Sequence, residues 1–131
     1  MHQPTKDRLC IASPALSVWL PPDVPSLEHV RLTDGGEGFH MPRFEPSVTL
    51  YDTARDTLVT WGEPGLVSTY ELESQGTSAL AYRASVRRDG GPVVAFRLTF
   101  TVWEHVVEVA FDDVVEHPPA QLVRVDLRGL V

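Results

Sequence analysis

Two consecutive segments near the C-terminal end of the chain, 93–102 and 106–112, alternate apolar with polar residues. Their apolar side chains fall on one side when both segments are drawn as strands: Phe96, Leu98, Phe100, Val102, Val107, Val109 and Phe111. This period of two is typical of β-strands that bury one face. We therefore expect a β-hairpin with that face in the core. Its register follows from matching the apolar positions: Val102 with Val107, Phe100 with Val109, and Leu98 with Phe111.

Shorter β-prone runs fill the rest of the chain, with turn signals roughly every ten residues between them. The further predicted strands cover residues 15–20, 30–33, 47–51, 57–61, 66–72, 77–86 and 121–127. Prolines at 21, 22 and 25 leave room only for a turn of helix at 27–29, which Ser26 would cap. About nine strands without a long helix predict an all-β fold: an antiparallel β-sandwich, with a closed antiparallel β-barrel as the alternative.

The length of 131 residues predicts a single domain, 1–131, that folds around one core. Residues 1–8 are expected to form a flexible N-terminus, and the glycine-rich segment 34–38 an exposed loop. Residues 112–119 are polar and end in two prolines, so we expect a connection there before the last strand. The apolar end Leu130-Val131 suggests either a domain cut from a longer protein or an end that lies in a sheet.

The formal net charge of −7 argues against nucleic acid as a partner, because phosphate binding requires clustered positive charge. No apolar run is long enough to span a membrane, and the polar N-terminal residues do not resemble a secretory signal. The single cysteine, Cys10, excludes an internal disulfide and a cysteine-built zinc site. Composition therefore predicts a domain stabilised by packing alone, and it leaves the cellular compartment and the oligomeric state open.

The side of the hairpin opposite the predicted core carries residue types that suit a ligand. The candidate ligand-binding residues on that side are Arg83, Arg97, Thr99, Thr101 and Trp103. An indole ring can stack on a sugar ring, while arginine and acidic side chains bond to the sugar hydroxyls. The same residue types are common on ordinary solvent-facing strands and where a sheet packs on another domain, so these interpretations stay open as well. Trp19 and Trp61 each end an apolar run, and we expect them in the core or at an interface.

Motifs for metal binding or nucleophilic catalysis are absent from the sequence. The scattered histidines have no ligand spacing: His29, His40, His105 and His117. The acids near the last hairpin lack the pattern of a calcium loop, and no serine or cysteine lies in a glycine-rich elbow. A pair of glycosidase carboxylates would leave no local signature, because its acids come from separate strands. The sequence therefore predicts no catalytic residue, no metal site and no cofactor.

Two stretches resemble the N-terminal β-supersandwich domains that precede the catalytic barrel in several glycoside hydrolase families, domains similar in architecture to galactose mutarotase. The first, 48–64, contains Val-Thr-Leu-Tyr-Asp, Asp-Thr-Leu and Trp-Gly-Glu-Pro; the second is 96–111 followed by 121–130. Together they cover under half of the chain. Such supersandwiches are longer than this chain, so the resemblance implies a fragment or a similarity of topology alone. It also implies a non-catalytic module that packs against a hydrolase barrel, and it carries over no catalytic residue.

The leading hypothesis is a non-catalytic β-sandwich module associated with carbohydrate-active enzymes. Such a module would act by packing against an adjacent catalytic domain or by weak glycan binding. One alternative is a small β-barrel that binds an apolar ligand, or catalyses one simple step, in its interior; such a barrel would enclose a pocket. Another is a structural or oligomerising protein that associates through an exposed strand edge.

Overall fold

The computed structural model describes residues 8–33, 38–60, 66–88 and 91–130, which form ten β-strands. In chain order the strands are β1 (Leu9–Ala12), β2 (Leu16–Leu20), β3 (Leu27–Leu32), β4 (Gly38–Asp52), β5 (Thr57–Thr60), β6 (Leu66–Gln75), β7 (Ala79–Arg88), β8 (Gly91–Trp103), β9 (Val106–Glu116) and β10 (Ala120–Leu130). Within these residues there is no helix long and apolar enough to cross a membrane.

The strands form two antiparallel sheets. The six-stranded sheet follows the order β1-β2-β3-β4-β10, with β5 paired to the C-terminal end of β4. The four-stranded sheet is the meander β6-β7-β8-β9. Because β10 pairs with β4 instead of continuing the meander beside β9, the described strands do not close into a barrel. The predicted all-β antiparallel sandwich is confirmed, and the alternative of a closed barrel is wrong.

The core lies between the two sheets and is built from alternate residues of their strands. The largest fully buried side chains are Ile11, Val18, Leu20, Val48 and Leu50 from one sheet, and Leu80, Tyr82, Val86, Val94, Phe96, Leu98 and Phe100 from the other. The rings of Tyr82 and Phe100 meet edge to face at a centroid distance of 6.0 Å, a favourable aromatic geometry. The Tyr82 hydroxyl donates to the carbonyl of Pro21 at 2.7 Å, so a buried hydrogen bond also joins the two sheets.

The register predicted for the last hairpin of the meander is confirmed. Strands β8 and β9 pair Val102 with Val107, Phe100 with Val109, and Leu98 with Phe111. Strand β7 presents its apolar residues to the same interior, pairing Leu80 with Phe100, Tyr82 with Leu98, and Ala84 with Phe96. The alternation of apolar residues therefore determined which face of three neighbouring strands is buried.

The inner side of β9 is less buried than the hairpin pattern predicts. Phe111 is 43% exposed, although its ring packs edge to face against Phe96 at 6.1 Å. Strand β9 is the last strand of its sheet, so a neighbouring strand covers only one of its edges. The prediction that Phe111 lies in the core therefore needs correction: Phe111 borders the core at the open side of the sandwich.

Several segments differ from the predicted secondary structure. Residues 39–46, for which the sequence predicts no strand, belong to the first part of β4. Residues 27–29 begin β3 instead of forming a helical turn. This strand lies between β2 and β4, and its backbone forms hydrogen bonds with both. The sequence does not predict β1, a four-residue edge strand in which Ile11 is the buried residue. Residues 112–116 continue β9 instead of forming a connection. The predicted loop at 34–38, apart from Gly38 at the start of β4, and the flexible N-terminus, apart from Arg8, lie outside the described residues.

Turns from both sheets meet at the end of the sandwich where β8 reaches Trp103. The backbone N–H of Ala12 donates to the Thr77 carbonyl at 2.9 Å. The Ser13 hydroxyl donates to the Glu104 carbonyl at 2.5 Å, and it accepts hydrogen bonds from the backbone N–H groups of Ala15 and Leu16. These bonds fix the β8–β9 turn against the opposite sheet, and they thereby fix the backbone that carries Trp103.

Candidate functional site

Two arginines lie side by side at the centre of the outer face of the four-stranded sheet. Arg83 of β7 is directly opposite Arg97 of β8 in the ladder. Like charges at this spacing destabilise a sheet unless acids neutralise them. On its other side Arg97 is in register with Asp112 of β9, so the ladder itself places a carboxylate beside the pair.

Two β-bulges in the edge strands supply the other acids. In β6 the register shifts between Leu72 and Ser74, which makes Glu73 the inserted residue. In β9 two residues, Asp113 and Val114, oppose one residue of β8. Asp113 adopts a left-handed φ of 53°, a conformation that aspartate tolerates better than most residues. Bulges redirect side chains, and these two direct Glu73 and Asp113 towards the arginines.

Five charged side chains consequently form one network, which we call the arginine cluster. Asp112 accepts two hydrogen bonds from Arg97: Nε to Oδ1 at 2.9 Å and Nη2 to Oδ2 at 2.7 Å. Arg83 donates from Nε to Glu73 Oε2 at 3.0 Å and from Nη2 to Asp113 Oδ2 at 2.6 Å. Glu73 Oε1 also lies 3.5 Å from Arg97 Nη1, so this acid bridges both arginines. The paired bonds hold both guanidinium planes in fixed orientations.

Ion pairing shifts the protonation equilibria of the cluster in the expected directions. The hydrogen bonds and charge of Arg97 lower the pKa of Asp112, and Asp112 in turn raises the pKa of Arg97. The hydrogen bond to Asp113, followed by the contacts with Glu73, raises the pKa of Arg83. At neutral pH the cluster combines three carboxylates with two guanidinium groups, which leaves one net negative charge.

The remaining predicted site residues continue the outward-facing positions of β8. Thr99 and Thr101 are half-buried, and Trp103 is 51% exposed. Their neighbours on β7 are small, as with Ala81 directly opposite Thr99. The row therefore presents two threonine side chains, with an accessible indole at its end. We call this row together with the arginine cluster the outer face.

The predicted site residues share one face without forming one compact site. Trp103 lies six positions after Arg97 along β8, which corresponds to about 20 Å at about 3.4 Å per residue. The structure brings Arg83 and Arg97 together, as the register predicts. It places Trp103 at the far end of the row, so one small ligand cannot contact both the indole and the guanidinium groups.

The three acids of the arginine cluster are the functional candidates that sequence reasoning missed. Residues 112–119 were expected to form a connection, which removed Asp112 and Asp113 from the predicted face. The available signal was the register itself, because extending the Leu98–Phe111 pairing by one step sets Arg97 against Asp112. Glu73 had no such signal, since its position depends on the bulge in β6.

Trp19 lies in the other sheet and does not join this face. Trp19 is half-buried in β2 and contacts His29 edge to face at a centroid distance of 5.1 Å, and His29 is 2% exposed. Trp61 lies outside the described residues, so its expected core or interface position stays a prediction. In the part of the chain that the structure describes, no three histidine, cysteine or acidic residues are grouped to hold a metal ion.

A cleft of about 200 Å³, which the sequence did not predict, lies at the opposite end of the sandwich from Trp103. It is bordered by the β4–β5 hairpin, the start of β8 and the β9–β10 turn. The backbone N–H of Thr53 donates to the Pro119 carbonyl, and that of His117 donates to the Val93 carbonyl, each at 2.9 Å. These bonds hold the three segments together around the cleft.

Asp52 is the buried charged residue at this cleft, with 6% of its surface exposed. Its Oδ1 accepts the backbone N–H groups of Ala54 at 3.0 Å and Arg55 at 3.2 Å. Its Oδ2 has only longer contacts, 3.4 Å to Arg88 Nη1 and 3.9 Å to Arg55 Nε. Burial raises the pKa of Asp52, but the two backbone hydrogen bonds and the neighbouring guanidinium groups outweigh burial, so the net pKa is lowered. Asp52 is therefore an ionised carboxylate with one well-bonded oxygen and one with weak contacts.

Comparisons with protein-family models, with curated proteins and with solved structures found no match for this chain.

Proposed function

We propose that this chain is a non-catalytic β-sandwich module that binds an extended, neutral glycan along the outer face of its four-stranded sheet. The natural setting for such a module is beside a carbohydrate-active catalytic domain, as the resemblance to the β-supersandwich domains of glycoside hydrolases implies. The observation that carries the proposal is the row of outward positions on β8 in which the fixed guanidinium group of Arg97, two threonines and the accessible indole of Trp103 follow one another, with the guanidinium group of Arg83 beside Arg97 on β7.

The arginine cluster suits the recognition of sugar hydroxyls because its donors and acceptors are already oriented. Each guanidinium group is held by carboxylates of the edge strands β6 and β9, so little side-chain freedom is lost when a ligand binds. The carboxylates are acceptors and the guanidinium N–H groups are donors, whereas a hydroxyl can serve as either. Neutral, hydroxyl-rich ligands match this mixed surface.

The charge of the cluster favours a neutral glycan over an acidic one. The cluster keeps one net negative charge and the whole chain carries a formal charge of −7, so an acidic polymer would be repelled. The distance of about 20 Å along β8 from Arg97 to Trp103 further favours a chain of several sugar rings lying along the strand.

A glycan array followed by isothermal titration calorimetry tests the proposal. We expect a neutral oligosaccharide to bind and the corresponding monosaccharide to bind the outer face far more weakly. Trp103→Ala should weaken the binding of the oligosaccharide at least about tenfold, since a loss of about 1.4 kcal/mol corresponds to that factor. Thr101→Val, which keeps the shape of the side chain and removes the hydroxyl, should weaken it by a smaller factor.

Leu32→Ala is the matched control, because Leu32 is an exposed apolar residue of the other sheet. It should leave the affinity unchanged. The absence of binding to every neutral glycan on the array, or equal affinities of wild type and Trp103→Ala, would contradict the proposal.

A further inference from the structure

We propose that the cleft at Asp52 is a second binding site, which takes one ring of a neutral sugar or polyol. A ring hydroxyl donates to Asp52 Oδ2, and the carbon face of the ring packs on the prolines of the cleft wall. This site lies at the opposite end of β8 from Trp103, and it does not depend on the proposed function of the outer face.

The first argument is the state of Asp52. A buried carboxylate needs strong hydrogen bonds to both oxygens to offset the loss of hydration. Oδ1 has two from the backbone, whereas the best protein contact of Oδ2 is 3.4 Å, at the long limit of a hydrogen bond. A hydroxyl donor at Oδ2 supplies the short bond that the protein does not.

The second argument is the composition of the walls. Pro92, Pro118 and Pro119 line the cleft together with the buried side chains of Leu50 and Val59. Rigid apolar walls around a small number of polar groups are characteristic of small-molecule sites. Proline rings lose no side-chain freedom on binding, so they form a suitable surface for the carbon face of a sugar ring.

The third argument concerns the charge of the ligand. An anion would face the ionised carboxylate of Asp52, and a cation would face the guanidinium group of Arg88, which also lines the cleft. A neutral hydroxyl avoids both repulsions, because it donates to Asp52 Oδ2 while accepting from Arg88 Nη1. The cleft volume of about 200 Å³ suits one ring and not a longer chain.

Titration of the ¹⁵N-labelled full chain, followed by two-dimensional NMR, tests the site. The probes are the methyl glycosides of glucose, galactose and mannose, together with myo-inositol. We expect at least one of them to produce saturable shifts at the amides of Ala54, Val93 and Ala120, with a dissociation constant of about 1 mM, as befits so small a ligand.

Asp52→Asn keeps an acceptor for the two backbone N–H groups and replaces Oδ2 by a donor. It should therefore weaken the binding of the titrated probe at least about tenfold. Asp23→Asn makes the same chemical change at an exposed residue that does not line the cleft, and it should leave the titration unchanged. If Asp52→Asn does not fold, Pro92→Ala replaces it. Truncating this part of the apolar wall should weaken the binding of the same probe about threefold.

Two results would overturn this proposal. One is the absence of saturable shifts at the cleft amides of the wild type with every probe. The other is that acetate or inorganic phosphate binds there and the sugars do not, which would make the cleft an anion site. Shifts confined to the amides of β8 around Thr101 would count against the cleft while supporting the outer face, so the two proposals fail separately.

Discussion

The two faces of β8 are made by alternating residues of one strand, yet they have opposite chemistry. The inner residues Phe96, Leu98 and Phe100 are fully buried against the second sheet. The outer residues Arg97 and Trp103 remain accessible to solvent. One strand thus carries both the core-facing residues and the residues of the proposed binding face, at alternating positions. Substitutions on the inner face should change folding, and those on the outer face should change binding.

The largest expected difference between the two faces comes from truncating a side chain of the inner face. Phe100→Ala removes a fully buried ring and its edge-to-face contact with Tyr82, so we expect a loss of about 3–5 kcal/mol in the free energy of unfolding. Thr101→Ala, one residue further along on the outer face, should change it by no more than about 0.5 kcal/mol. Urea denaturation followed by circular dichroism measures both variants, and similar losses would show that the two faces are not separated.

A buried hydrogen bond on the inner face should also contribute to the free energy of unfolding. Tyr82→Phe removes the hydroxyl that donates to the Pro21 carbonyl and leaves that buried acceptor without its partner, so we expect a loss of about 1–2 kcal/mol. Tyr51→Phe is the matched control, since Tyr51 donates to Asp56 at an exposed hairpin, and its loss should be clearly smaller. Equal losses in the same denaturation experiment would show that burial does not determine the strength of this bond.

The contribution of the outer face to stability should depend on pH, because it comes from ion pairs. The pKa of Asp112 in the folded state is lowered from its ordinary value of 3.8, so its ion pair stabilises the fold above that pH. This contribution disappears as the pH falls through the lowered pKa, when Asp112 becomes protonated. Melting temperatures measured between pH 7 and pH 2 should therefore fall less steeply at the acid end for Asp112→Asn than for wild type. Parallel curves for the two proteins would contradict this expectation.

The smallest effect on stability should come from Trp103, the residue on which the proposed glycan binding depends most. Trp103 is half exposed at the end of β8, so Trp103→Ala should change the free energy of unfolding by no more than about 0.5 kcal/mol. The same variant should lose glycan binding in the calorimetric experiment described above. A large loss of stability would show instead that the indole is a structural part of the β8–β9 turn.

The sequence was sufficient where one local pattern decides the outcome. Alternation in 93–102 and 106–112 predicted the all-β class, the register of β8 with β9, and the face that carries Arg97. It failed for the short edge strand β1 and for the start of β3, because these segments become strands only by pairing with neighbours that are not predictable locally. The extension of β9 beyond Phe111 was missed for a related reason: a bulge and two ion pairs compensate for a polar sequence.

By itself, then, the sequence determined which side chains point in and which point out along the central strands, because a period of two is a property of any extended chain. Only the tertiary structure decided which outward side chains meet. Glu73 and Asp113 reach the arginines through bulges whose positions depend on the pairing of whole strands. Asp52, Pro92 and Pro119 line one cleft because the β4–β5 hairpin, the start of β8 and the β9–β10 turn converge at the same end of the sandwich. Such groupings join residues far apart in the chain, and no local pattern encodes them.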